Sequence, residues 1–104
     1  MSITRVERDG AFHFHVQGDM TFDSVKGLLQ QSAGLFSSVE ELQIDLTRVD
    51  RADSAGLALV LEWLAQAAER KAGVVFTGMP GSIHSIARLC QVESLLDEAD
   101  ASAS

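Results

Sequence analysis

Cysteine is almost absent. Cys90 stands alone, so no internal disulfide can form and a reducing compartment is expected. Cationic residues are also few, 8 against 15 acidic ones, which leaves a formal net charge of −7. A chain this poor in clustered Lys and Arg is not built to grip a nucleic-acid backbone or an anionic lipid surface. No run of about 18 uncharged apolar residues occurs, as a membrane-spanning helix would need. The start, "MSITRVERDGAF", lacks the apolar stretch of a signal peptide. There is no Gly-x4-Gly-Lys-Ser/Thr loop, so any ATP hydrolysis must come from a partner, and no Gly-x-Ser-x-Gly turn to activate a serine nucleophile. His13 and His15 are spaced like a strand-borne ligand pair, but no cysteine or third histidine stands at metal-ligand spacing, and both are expected to be exposed. His84 has no evident acidic partner, and Cys90 falls among apolar helix positions, where an inert buried thiol is the default. No catalytic residue, metal or cofactor is expected. These absences describe a soluble, acidic, cytoplasmic protein.

What is present is the apolar patterning of one domain. The chain has 104 residues and is 46% hydrophobic, enough to bury a single core but not two. Residues 1–97 are read as that domain, and 98–104, "EADASAS", as a disordered acidic tail. Asp9-Gly10 predicts a hairpin turn, and after it Phe12, Phe14 and Val16 alternate with His13, His15 and Gln17. "TFDSVKGLLQQSAGLFSS" predicts a helix capped by Thr21 or Asp23, with Val25, Leu28, Leu29 and Phe36 on one side. "ELQIDLTRV" alternates as a strand, and Asp50-Arg51-Ala52-Asp53 reads as a loop. A helix then runs from Ser54 to about Lys71 and is ended by Ala72-Gly73. "VVFTG" is continuous enough to be a strand covered on both faces. Met79-Pro80-Gly81-Ser82 opens an amphipathic helix carrying Ile83, Ile86, Ala87 and Cys90. The fold class expected is α/β: a mixed, mostly parallel sheet with an N-terminal hairpin and helices packed on it.

The stretch "RADSAGLALVLEWLAQAAERK" carries the functional signal. At 100° per residue, Leu57, Val60, Leu61, Leu64 and Ala68 share one stripe, the expected core face. Leu59 and Trp63 lie toward the other side, four residues apart. They are either a protein-binding patch or the rim of a core beneath a tilted helix. Ser54 also has two readings. As an N-cap its hydroxyl would accept a first-turn amide, worth on the order of 1 kcal/mol. Alternatively, Ala55 and Gly56 leave the helix start bare enough for a partner to approach Ser54 closely. A phosphate there would meet the positive end of the helix dipole, but also the charge of Asp53.

"IDLTRVDRADSAGLALVLEWLAQA" resembles the core signature of the STAS domain, the fold of bacterial anti-anti-sigma factors: a strand ending in Asp-Leu, a short connection, then Asp-Ser-x-Gly-Leu opening a helix. The resemblance runs from the hairpin, through Gly18-Asp19-Met20, to the Met79-Pro80 helix. More narrowly, "SAGLALVLEWLAQA" and "IARLCQVESLL" resemble the STAS subunit of the bacterial Mla phospholipid-transport ABC complex, which maintains outer-membrane lipid asymmetry. That resemblance implies a non-catalytic subunit held peripherally at the inner membrane by an ABC ATPase. It also implies that Ser54 sits at the partner interface, with Arg51, Asp53, Ala55, Gly56, Leu57, Leu59 and Trp63 around it. The broader likeness implies an alternative, an anti-anti-sigma factor switched by a serine kinase at Ser54. Gly18-Asp19-Met20-Thr21-Phe22-Asp23 lacks the Gly-Glu-Leu-Asp run common in that branch. Neither reading involves nucleic acid or insertion into the membrane.

Overall fold

The computed structural model describes residues 4–97 and residue 99. The elements in chain order are β1 (Arg5–Arg8), β2 (His13–Met20), α1 (Val25–Phe36), β3 (Glu41–Ala52), α2 (Ser54–Glu69), β4 (Gly73–Thr77), α3 (Gly81–Leu89) and α4 (Glu93–Asp97). The strands form one sheet in the order β1-β2-β3-β4, with β1 antiparallel to β2 and the other pairs parallel. Two successive crossovers, β2–α1–β3 and β3–α2–β4, step in the same direction across the sheet. The usual right-handed connection then puts both helices on one face.

Alternation in the strands supplies the core. Phe14, Val16 and Met20 of β2, Leu42, Ile44 and Leu46 of β3, and Phe76 of β4 are buried beneath the helices. From the helical layer Leu28, Phe36, Leu57, Val60, Ile83, Ala87 and Leu96 meet them. Among the described residues no helix covers the opposite sheet face, which is polar: His13, Gln43, Asp45 and Thr77 line a cleft there. This α/β arrangement, a mixed sheet with an N-terminal hairpin and a helical layer, is the one expected from the sequence pattern.

Several local expectations need correction. The hairpin loop spans Asp9–Phe12, because the amides of Asp9 and Gly10 both donate to the His13 carbonyl, so Phe12 lies outside the strand and is exposed. Helix α1 starts at Val25 with Ser24 at the N-cap position, not Thr21 or Asp23. The Ser24 hydroxyl accepts the Thr21 amide and donates to the Asp19 carbonyl, bracing the loop rather than the helix. Strand β3 continues through Arg51 and Ala52, paired with Asp19 and Met20, leaving Asp53 as the only residue between strand and helix. Strand β4 is an edge strand with Val75 exposed, not a strand covered on both faces.

The end of α2 differs too. Lys71, not a glycine, takes the left-handed conformation (φ 58°). Its amide donates to Ala68 and that of Ala72 to Ala67, the paired bonds of a Schellman motif. Gln91 (φ 62°) repeats the device after α3, its amide bonded to Arg88 and that of Val92 to Ala87. Cys90, just before it, is exposed rather than buried. Of the expected tail, residues 98 and 100–104 lie outside the described residues. Ala99 is buried, and its carbonyl accepts the Phe76 amide of β4.

Candidate functional site

Parallel pairing of β2 and β3 brings their C-terminal ends together, and the Ser54 helix starts from that end of the sheet. Asp53 organises the junction. Its Oδ1 accepts the amides of Ala55 (2.8 Å) and Gly56 (3.4 Å), capping α2, while Oδ2 accepts the amide of Phe22 (3.2 Å) from the β2–α1 loop. Slight desolvation pushes the Asp53 carboxyl up, but the amide bonds from Phe22, Ala55 and Gly56 outweigh it and hold the group below its ordinary value. One ionised carboxylate thus fixes both a helix start and the neighbouring loop.

The cap is therefore Asp53 and not Ser54. Ser54 is the first helical residue, exposed, and takes no part in capping. Two depressions adjoin it. One is a polar cleft of about 250 Å³ lined by Asp19, Thr21, Phe22, Asp23, Arg51, Ala52 and Asp53. The other is an apolar groove of about 380 Å³ between α1 and α2, walled by Val25, Leu29, Ala55, Ala58 and Leu59, with Lys26 and Glu62 on its rims.

Gly56 has a different task from the one its sequence position implied. A Cβ there would stand 2.5 Å from the Met20 carbonyl oxygen and 3.3 Å from the Ala52 Cβ. The bare backbone lets α2 sit against the ends of β2 and β3; the space is filled by the fold and is not open to a partner. Leu57, at the next position, is likewise buried in the core.

The outward patch of Leu59 and Trp63 is not found. The two are only 4% and 2% exposed. Trp63 donates its indole N–H to Ser32 Oγ (2.8 Å), and its ring lies 5.7 Å from Phe36 and 6.3 Å from Phe76. The helix is rotated relative to the expected stripe: Gly56, Leu57, Leu59, Val60, Trp63 and Ala67 are buried, Leu61 and Leu64 half-buried, and Ala68 exposed. An all-round apolar helix leaves its orientation undetermined at 100° per residue. The polar socket that receives the indole, Ser32, lies 31 residues away in the sequence.

The residue that sequence reasoning passed over is Phe22. It is 81% exposed, beside Asp53 and in the cleft wall. A lone aromatic between Thr21 and Asp23, outside any apolar period, was the available signal. Singly exposed apolar side chains are ordinary, and Leu89 is more exposed still; what distinguishes Phe22 is its place in the wall of a cleft, and Phe is among the residues enriched in interfaces. Of the residues expected to form the site, Arg51, Asp53, Ser54 and Ala55 gather at this end of the sheet, whereas Gly56, Leu57, Leu59 and Trp63 pack inward.

The histidines are separated by their surroundings. His13 is exposed, but His15, expected to be exposed, is buried against Asp9 and Gln17. Among the described residues no group of three His, Cys, Asp or Glu is placed to hold a metal ion, and no helix is long and apolar enough to cross a membrane.

Hairpin, parallel sheet and single helical layer define an α/β domain of the STAS type. The family model described as "Mlab, STAS domain" matches residues 3–97, and the chain belongs to that family. Among curated proteins none matches significantly. The fold is shared with the anti-sigma factor antagonist SpoIIAA in its unphosphorylated form (13% identity, TM-score 0.63, covering 84% of this chain and 83% of that one). It is shared also with a sulfate transporter family protein from Wolinella succinogenes (13% identity, TM-score 0.66, 86% and 74%). A structure of Mglu is 28% identical over 68% of this chain, at a TM-score of 0.57, but the match spans only 18% of that larger protein.

Proposed function

We propose that this chain is a non-catalytic STAS subunit that docks on the ATPase of an inner-membrane ABC transporter moving phospholipids, and so supports outer-membrane lipid asymmetry. The observation that carries the reading is the placement of Ser54. Its side chain is exposed and unused by the fold, and its chain neighbours line the two depressions: Asp53 the cleft walled by a bare Phe22, Ala55 the apolar groove. The family model matched supports the choice of transporter over other STAS partners. Binding would seat Phe22 and the groove lining against apolar partner side chains. Asp19, Asp23 and Asp53 outnumber Arg51 in the cleft, so the partner's facing surface is basic. The chain is held at the inner face of the inner membrane through that contact.

The exposed Ser54 also favours a second reading, an anti-anti-sigma factor silenced by a serine kinase, consistent with the SpoIIAA-like fold. A phosphate on Ser54 would meet the positive end of the helix dipole, but the Ala55 and Gly56 amides there are already taken by Asp53, whose ionised carboxylate opposes a second anion. The test is purification of the tagged full chain from native membranes, with its companions identified by mass spectrometry. Recovery of an ABC ATPase with permease subunits is the expected result. Recovery of a serine kinase instead, with Ser54→Asp inactive and Ser54→Ala permanently active, would reverse the order of the two readings.

A further inference from the structure

The polar face of the sheet contains one side chain that the docking surface does not use and that solvent scarcely reaches. His15, in β2, is 2% exposed although no helix among the described residues covers that face. It is enclosed by polar groups from every neighbouring segment. Asp9 of the hairpin loop places both carboxylate oxygens 2.8 Å from Nδ1. Nε2 is 3.1 Å from Gln17 Oε1, 3.3 Å from Arg48 Nη1 of β3, and 3.6 Å from Glu7 Oε2 of β1. Glu7 is itself paired with Arg5 at 2.7 Å, and Asp45 lies opposite His15 on β3. The ring therefore faces three carboxylates (Glu7, Asp9 and Asp45) and two guanidinium groups (Arg5 and Arg48).

The two ring nitrogens are not equivalent in this setting. Nδ1 meets only carboxylate oxygens, so it carries a proton in either charge state. Nε2 meets both kinds of partner. Without a proton it accepts from Arg48, which can only donate. With one, it donates to Gln17 Oε1 and Glu7, and the Arg48 N–H is left facing another N–H. Both sets of partners cannot be satisfied at once.

We propose that His15 is a proton-operated latch: the neutral ring holds Arg48 against the sheet, and protonation transfers Nε2 to Gln17 and Glu7 and releases Arg48. Arg48 stands at the point where β2–β3 pairing shifts register, opposite Gln17 and just before the part of β3 that leads to Asp53. Release therefore alters the charge shown on the open face and loosens the strand at its irregular point. Asp45 is tuned by the same cluster. Burial raises its carboxyl, but hydrogen bonds from the Thr47 hydroxyl and amide, with the positive charge of Arg48, bring it below the ordinary value.

The test is a 15N NMR titration of the full chain between about pH 5 and pH 8, where histidine changes charge. The Arg48 guanidinium and Gln17 side-chain amide signals should move with the same midpoint as the His15 ring. Arg48→Gln, a change at an exposed position, should raise the His15 midpoint by about 0.5 unit, roughly threefold in proton affinity, and Asp9→Asn should lower it. An Arg48 signal that stays flat while His15 titrates, or a midpoint unmoved in Arg48→Gln, overturns the latch. So does a ring that keeps one charge state throughout. The outcome is independent of which partner binds at Ser54.

Discussion

Replacing Trp63 by alanine separates a core role from an interface role most sharply. The side chain is buried, stacks near Phe76, meets Phe36 edge-on, and donates to Ser32. Truncating a buried Trp costs about 3–5 kcal/mol in lost transfer energy and cavity formation. Domains of this size are stable by about 5–15 kcal/mol, so the variant sits near its unfolding threshold. At about 4–8 °C per kcal/mol, the midpoint of thermal unfolding should fall by roughly 12–40 °C. Trp63→Phe should lose far less, about 1–2 kcal/mol, because the ring stays and Ser32 Oγ still donates to the Leu29 carbonyl. Urea unfolding followed by far-ultraviolet circular dichroism measures both variants and does not rely on the only tryptophan for signal. A Trp63→Ala loss below about 1 kcal/mol would refute the core assignment and return the residue to the surface.

Gly56→Ala should be destabilising despite a helix-propensity gain of about 1 kcal/mol, because overpacking against the Met20 backbone costs about 1–3 kcal/mol; a more stable variant by urea unfolding would refute the close approach. Lys71→Gly should stabilise the fold by roughly 0.5–1 kcal/mol by relieving the left-handed backbone that closes α2, read in the same assay. Asp45 and Asp53 both have lowered carboxyl values in the fold, so their contribution is fully present above the ordinary 3.8 and is lost as pH falls through the lower folded values. Stability measured against pH should therefore decline in that acid window, and less steeply in Asp53→Asn.

Secondary structure and fold class were legible because they depend on local periodicity. Two-residue alternation marked β2 and β3, and the Asp-Ser-x-Gly start marked α2. What failed was orientation. Leu57, Leu59, Leu61, Trp63 and Leu64 offer several apolar stripes, and only packing against Ser32, Phe36 and Phe76 selects the one containing Trp63. Serine suits a cap at position 54, but its neighbour Asp53 reaches both the helix start and the β2–α1 loop and takes the role. His15 looked exposed because its strand face is polar; its burial comes from Asp9, Gln17 and Arg48 folding over it, which alternation does not encode. Phe22 was missed because an aromatic in a polar loop belongs to no period.

Ser54 lies inside a protein–protein contact if the proposed docking is right. The most direct measurement is the affinity of the purified full chain for the ATPase recovered with it, comparing the wild type with Ser54→Arg, whose long cationic side chain at an exposed helix start leaves the core untouched. Affinity should fall at least tenfold, about 1.4 kcal/mol, with the thermal midpoint unchanged. Equal affinity in the folded variant would contradict the proposal that this end of the sheet is where the partner docks.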